Sequence, residues 1–343
     1  GCRIELRFGM RRFGESKTEC RKGSGGIGGE VGKQEVLINN MESIHRTVLL
    51  NETIEGLNLD SKQVVVDGTF GGGGHSLEIC KKYKGIKIIA IDEDKSALER
   101  AKNNFKSLDC KISFFNQNFR NIDEVLKEEG VTEVDGIILD LGLSSDQLEN
   151  SLRGFSFLKD EPLLMTMKEN PKEEDVTAKD VINSWSEENL ADIIYGYGEE
   201  RFARRIASAI VKARKGKEIE TTFDLVKIIG EAVPTSYKKG KIHFATKTFQ
   251  AIRIAVNDEL GALHEVLKKG LMHLKIGGRM SVITFHSLED RIVKKFNKEG
   301  EKNGFVKLIN KKPIIATREE IINNKRARSA KLRIVEKVGR VTE

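Results

Sequence analysis

The sequence predicts an α/β fold: an open parallel sheet with helices on both faces, interrupted by an inserted all-helical domain. Three observations carry that expectation. Strand and helix patterns alternate from residue 62, a glycine-rich turn closes the first strand in VVVDGTFGGGGHS (residues 64–76), and only helical spacing is found between Asp146 and about Thr248. Such alternation builds βαβ units, which require parallel strands and crossover helices.

In chain order, residues 1–40 hold nine of the 32 glycines and follow neither periodicity, so they read as a disordered leader, and the texture changes at Met41. Apolar strands fit 64–67, 86–92, 112–115 and 136–141, each followed by helical spacing such as Ala97, Ala101, Phe105 or Ile122, Val125, Leu126. In the helical stretch Phe202, Ile206, Ala209, Ile210 and Ala213 form one stripe, with Arg201, Arg204, Arg205 and Lys212 off it. A helix over 223–233 ends at Pro234. One long amphipathic helix through Phe249, Ile252, Val256, Leu260, Leu263 and Leu267 leads back to the sheet. A strand over 279–285, a helix over 288–296 and strands near 305–309 and 332–338 complete it. The expected division is a leader over 1–40, a sheet domain made of 41–146 and 249–343, and a helical substrate domain over 147–248.

At 343 residues, 38% apolar and 32% charged, the chain supports a sizeable core in about two domains. No window approaches the roughly 18 apolar residues of a membrane span, and the expectation is a cytoplasmic protein without membrane contact. Cys2, Cys20, Cys80 and Cys110 form no C-x-x-C pair and no Cys/His cluster, so they read as ordinary thiols, with neither disulfide framework nor metal site. The net charge of +7 is uneven: residues 1–40 contribute +3, residues 301–343 contribute +7, and the body between them −3. A basic end on a mildly acidic body points to a polyanionic partner or to a solvated tail. Oligomeric state is left open, a homodimer included.

In an open α/β sheet the ligand sits beyond the carboxyl ends of the strands. Gly71 to Gly74 let main-chain N–H groups approach a ligand closely, and the helix beginning near His75 and Ser76 aims its partly positive N-terminus at the same spot. No Lys-Ser/Thr follows the glycines and G-x-G-x-x-G has no match between Gly68 and Gly74, so a diphosphate is poorly served. S-adenosylmethionine fits better, with one carboxylate, one ammonium and a sulfonium, and with Asp67 facing the cationic portion. Asp92 ends the second strand, where a carboxylate accepts ribose hydroxyls; nicotinamide cofactors use the same device. Phe119 is placed either to stack on adenine or to fill the core. Asp140 ends the fourth strand in mid-sheet, to meet substrate and cofactor or to cap the following loop. Gln147, seven residues on, is a candidate to close over the cofactor.

Eight stretches, HRTVLLNETIEGL, VDGTFGGGGHS, DGIILDLGLSSDQL, RGFSF, YGEERFARRIASAIV, TFQAIRIAVNDEL, GGRMSVITFHSLEDRIVKKF and RARSAKLR, stand in order over about residues 45–338. In sequence and spacing the chain resembles the ribosomal RNA small subunit methyltransferase H family, bacterial enzymes that modify the N4 of a cytosine in 16S rRNA. The resemblance implies a Rossmann-like class I methyltransferase sheet, an RNA target near the decoding site, and S-adenosylmethionine contacts at Gly73, Gly74, His75, Asp92, Phe119, Asp140 and Gln147. EPLLMTMK departs from the family pattern at Leu164, Thr166 and Lys168, where Asp, Arg and Asp are usual; Phe244, Lys247 and Lys325 are further departures. They leave a second expectation, a ribosome-binding or assembly protein that kept the fold without catalysis.

Asp140 is the candidate catalytic residue, accepting a hydrogen bond from the cytosine amine. Methylation at cytosine C5 would need a cysteine nucleophile in the cleft, and Cys80 and Cys110 lie away from the strand ends. For RNA, PTSYKKGKIHFATKT offers Lys238, Lys239, Lys241 and Lys247 around Tyr237 and Phe244, either gripping phosphates and stacking bases or forming a solvated loop. KRARSAKLR either grips phosphates or braces the sheet through Arg326 and Arg328, and FHSLEDR reads as a helix start with Ser287 as cap and Asp290 bonding back, or as a pocket wall through His286.

Overall fold

The computed structural model describes residues 47–340; the leader expected over 1–40 and Cys2 and Cys20 lie outside them. Seven strands form one sheet: β1 Val64–Asp67, β2 Ile86–Asp92, β3 Cys110–Asn116, β4 Val134–Asp140, β5 Leu274–Thr284, β6 Val306–Leu308 and β7 Lys331–Lys337. Their order is β3-β2-β1-β4-β5-β7-β6. The first five are parallel, as expected. β7 is antiparallel to both β5 and β6, which makes the sheet mixed. The chain turns back over 309–330 instead of crossing to the far end of the sheet, as a parallel strand would require.

Strands covered on both faces read as continuous apolar runs. Ile88, Ile89, Ala90 and Ile91 of β2 and Ile137, Ile138 and Leu139 of β4 are fully buried for that reason. The order switches at β1, which has β2 on one side and β4 on the other, so a crevice opens beyond the carboxyl ends of these strands.

Among the described residues no strand lies between β4 and β5. Helices Ala178–Ser184, Glu187–Gly196, Ala203–Arg214 and Thr222–Ala232 gather there around Val181, Ile194, Ile206, Ile210, Leu225 and Ile229. Thr177, Ser186 and Thr221 cap three of them, each side chain accepting a first-turn N–H. The long helix expected through 249–267 is two helices, Thr246–Asn257 and Glu259–His273, broken at Asp258 in a left-handed conformation (φ 46). Arg120 donates to the Asp258 carbonyl at 3.2 Å and to its Oδ2 at 2.6 Å, holding the break. Apolar spacing runs through such a break unchanged, so the pattern concealed it.

Cys80 and Cys110 are joined in a disulfide, which corrects the expectation of free thiols. One sits in helix Gly74–Lys82 and the other opens β3, and the helix and sheet edge share a core layer. The pairing comes from that packing across 30 residues of chain, and no local spacing encodes it.

A buried ion pair ties the helical segment to the sheet. Arg153 donates to Asp94 at 2.6 Å and to the carbonyls of Met167 (2.7 Å) and Thr166 (3.3 Å). Burial acts to raise Asp94, but hydrogen bonds from Ser96 and Arg153 and the guanidinium charge hold it below the usual carboxylate range. Replacing Arg153 with Met strands that carboxylate, and a loss of about 3–5 kcal/mol is expected from urea denaturation at neutral pH.

Candidate active site

Three adjacent strands, β2, β1 and β4, each end on an aspartate at the same edge of the sheet. Burial pushes Asp67 and Asp92 up to about 6 and Asp140 up to about 7, the last helped by the nearby charges of Asp67 and Glu289. Their hydrogen bonding differs. Asp67 accepts from Ser76 Oγ at 2.6 Å and from Thr69 N at 3.4 Å. It braces the turn and does not line the cleft, so the expectation that it faces a ligand's cationic portion is not met. Asp92 accepts from Gly71 N at 2.6 Å and Asp94 N at 2.8 Å, one bond per oxygen, and each oxygen keeps a second lone pair. Among the described residues Asp140 Oδ1 has no hydrogen-bond partner although its side chain is only 22% exposed, and Oδ2 lies 3.9 Å from His75 Nδ1.

The glycine turn has steric causes that can be named. Gly71 (φ +51) and Gly73 (φ +73) occupy conformations that side chains resist. A Cβ on Gly73 would meet the Phe70 ring at 2.6 Å, and one on Gly74 would meet Thr47 Oγ1 at 1.8 Å. The segment leading into helix Leu50–Leu57 therefore crosses directly over the start of helix Gly74–Lys82.

These elements enclose an open cleft of about 1270 Å³ of atom-free space. Gly74, His75, Asp92, Phe119, Asp140 and Gln147 all line it; Gly73 does not, serving as the N-cap of helix Gly74–Lys82. Phe119 packs on the sheet core and also lines the cleft. Gln147 Oε1 accepts from Ser144 N at 2.9 Å in a capping box, which sets the side chain at the rim. Sequence reasoning missed Thr47, Glu93, Asn118, Asn257, Glu259 and Glu289, which also line it. HRTVLL and AVNDEL signalled some of these, but only the break at Asp258 turns Asn257 and Glu259 inward.

The loop carrying Leu164, Thr166 and Lys168 reaches the cleft at Met167 and is held by its backbone. Asn257 donates to the Met165 carbonyl and accepts from Met167 N, both at 2.8 Å, beside the Arg153 bonds. Leu164, Thr166 and Lys168 supply none of these four bonds with their side chains, so the departures leave the loop's anchorage intact.

Two expectations about the rim change. Tyr237 donates to Glu200 and packs on Phe202, Phe244 is half-buried against the helical core, and Lys247 donates to the Glu199 carbonyl. Only Lys238, Lys239 and Lys241 project as exposed cations. In FHSLEDR the cap is His286, with Glu289 bonding back to the amides of Phe285 and His286, while Ser287 donates to Glu199 at 2.6 Å. Glu259, His286 and Glu289 bring potential metal-ligand atoms within 4.8 Å of one another. Arg253 already binds both Glu259 oxygens at 2.8 Å, so that carboxylate is committed. Cys80 and Cys110 are bonded to each other and neither lines the cleft, which leaves no thiolate nucleophile there among the described residues.

The model of the MraW methylase family matches residues 42–338. Relatives named ribosomal RNA small subunit methyltransferase H include one from Clostridium botulinum (strain Kyoto / Type A2), 47% identical, covering 87% of this chain and 100% of the relative. Others come from Limosilactobacillus fermentum and Brevibacillus brevis, each 44% identical over 86% of this chain and 98% of theirs. With the match spanning almost every described residue, strand ends and cleft included, the chain belongs to the MraW methylase family.

Proposed function

We propose that the protein transfers a methyl group from S-adenosylmethionine to the exocyclic N4 of a cytosine in 16S rRNA of the small ribosomal subunit, near the decoding site. One observation carries this reading: an aspartate in mid-sheet, lodged in the cleft, has an oxygen without a partner among the described residues. The names of relatives at 44–47% identity support the substrate class. The cleft residues fit the cofactor. Gly71 and Gly72 line it without side chains, Asp92 keeps lone pairs for ribose hydroxyls, Phe119 offers a ring face, and a helix N-terminus lies beside them. When bound, S-adenosylmethionine supplies an electrophilic methyl carbon on sulfur.

The cytosine amine is a weak nucleophile because its lone pair is delocalised into the ring. Asp140 Oδ1, accepting one N–H, helps the nitrogen pyramidalise and receives the proton as the amine is alkylated. The amine grows acidic as the new bond forms, so a modest base suffices. Most of the acceleration comes from alignment, which supplies roughly 7–11 kcal/mol in well-positioned reactions. The loop over 164–168 reaches the cleft at Met167 and keeps its backbone bonds, so the non-catalytic reading loses the ground that its altered side chains gave it.

Asp140 must be ionised to accept the bond. The single-turnover rate is expected to rise with pH through about 7 and level off above it. Asp140→Asn lowers that rate by about 10²–10⁴ and flattens the profile. Stability moves the other way. Since the folded-state pKa is raised, the stability contribution is full below about pH 4 and is lost as pH rises through about 7. The Asn variant should therefore melt higher than wild type at pH 8 and not at pH 4.

Gly73→Ala is expected to weaken S-adenosylmethionine binding on the order of tenfold in calorimetry, because a strained φ and the Phe70 contact move the turn. A helical circular-dichroism spectrum like that of wild type would separate this from unfolding. Changing Lys238, Lys239 and Lys241 to Gln should flatten the salt dependence of small-subunit binding by about 0.7 in log–log slope for each lysine that meets a phosphate.

A further inference from the structure

We infer that a second pocket, adjoining the cleft, holds the nucleotide next to the target cytosine, with its phosphate on Arg328; this rests on the RNA reading above. The pocket is an open depression walled by Phe285, His286, Ser287, Ile315, Arg328 and Ser329. It shares Phe285 with the catalytic cleft. The 3-10 turn Lys325–Ser329 straddles the two spaces: Arg326 lines the cleft, and Arg328, two residues on, lines the pocket. An RNA strand that places one base in the cleft passes over this turn and brings its neighbour to the pocket.

The charges around the pocket single out Arg328. Lys331 and Arg333 hold Asp290 at 3.2 and 2.7 Å, Arg291 holds Glu199 at 3.0 Å, and Arg326 faces Glu149 at 3.6 Å. Arg328 is exposed, and among the described residues it makes no ion pair or hydrogen bond. Its five donors are unspent, in a fork that matches phosphate oxygens. Glu199 and Asp290, whose carboxylates touch the pocket-lining Ser287 and Lys331, are both held by the pairs just named.

Two further features distinguish this place from a solvated basic turn. His286 is nine-tenths buried in the pocket wall, with Nε2 3.0 Å from Glu289 Oε1, and neither ring nitrogen makes a well-aligned hydrogen bond. Ile315 is 65% exposed beside Ala316 and Ile321, an apolar floor suited to a ribose or base face. A cation, a buried imidazole and an apolar floor together form a nucleotide-shaped chemistry.

The test uses the full chain and small ribosomal subunits from cells lacking the methylation. With Arg328→Gln the KM for subunits is expected to rise on the order of tenfold with kcat kept, and the salt slope of binding to flatten by about 0.7. S-adenosylmethionine affinity by calorimetry should be unchanged, and Arg328→Lys should restore part of the KM and the whole slope. Wild-type transfer with an unchanged KM and slope in Arg328→Gln would overturn the assignment and leave the proposed activity standing. No transfer by wild type would instead remove the RNA reading, and this inference with it.

Discussion

Three carboxylates sit side by side in a buried strip where β2, β1 and β4 end, and the rest of the site is arranged around keeping them there. Carboxylates so close and so poorly hydrated resist ionising together. The surrounding structure satisfies them unequally: Asp67 accepts from Ser76 and Thr69, Asp92 from Gly71 and Asp94, and Asp140 Oδ1 from no group among the described residues. The amide of Gly71 reaches Asp92 only because the turn is bare and left-handed there. Thus the same glycines that open room for a ligand also stabilise the neighbouring strand end, and the unmet demand is concentrated on Asp140. An unsatisfied buried acceptor is costly in the free protein. Its persistence is what a site reserved for an incoming donor looks like.

The helical segment is tied to this strip by the Arg153–Asp94 ion pair, and the loop beside it is held through its backbone. Arg153 binds Asp94 and two carbonyls of the covering loop, and Asn257 clips the same loop from the other side. Because the loop offers main-chain atoms to these bonds, side chains at 164, 166 and 168 can vary without releasing it. Arg153 is then a joint between sheet and loop. Its charge is matched by Asp94, which also caps helix Lys95–Ala101, so the loop's position is referred to the end of β2 itself.

The parallel strands were legible because doubly covered strands must be apolar throughout, and the ligand edge was legible because glycine, aspartate and turn coincide at 67–74. What escaped had no one-dimensional signature. Asp258 breaks a helix through its backbone conformation while the apolar stripe continues on either side. Asp67 and Asp92 are alike in sequence, each ending a strand, and only the position of Ser76 decides that one is consumed internally. Cys80 and Cys110 meet because a helix lies on a sheet edge. Tyr237 and Phe244 have the composition of a stacking platform, yet the helical core claims both rings. In each case the missing information is which partner a side chain finds in space, which pattern and spacing do not specify.

The distribution of charge around the cleft follows from the same economy. Its interior carries Asp92, Glu93, Asp140, Glu259 and Glu289, with Arg253 committed to one of them. Such a strip repels phosphate while admitting an uncharged base whose amino group donates. Exposed cations outside it include Lys238, Lys239 and Lys241 on the helical segment and Arg328 on the sheet side. Under the proposed function an RNA strand is therefore sorted by its own chemistry, phosphates to the rim and base to the interior. Binding energy spent on the backbone, away from the reacting atoms, then fixes the amine against Asp140, where the orientation of a weak nucleophile limits the rate.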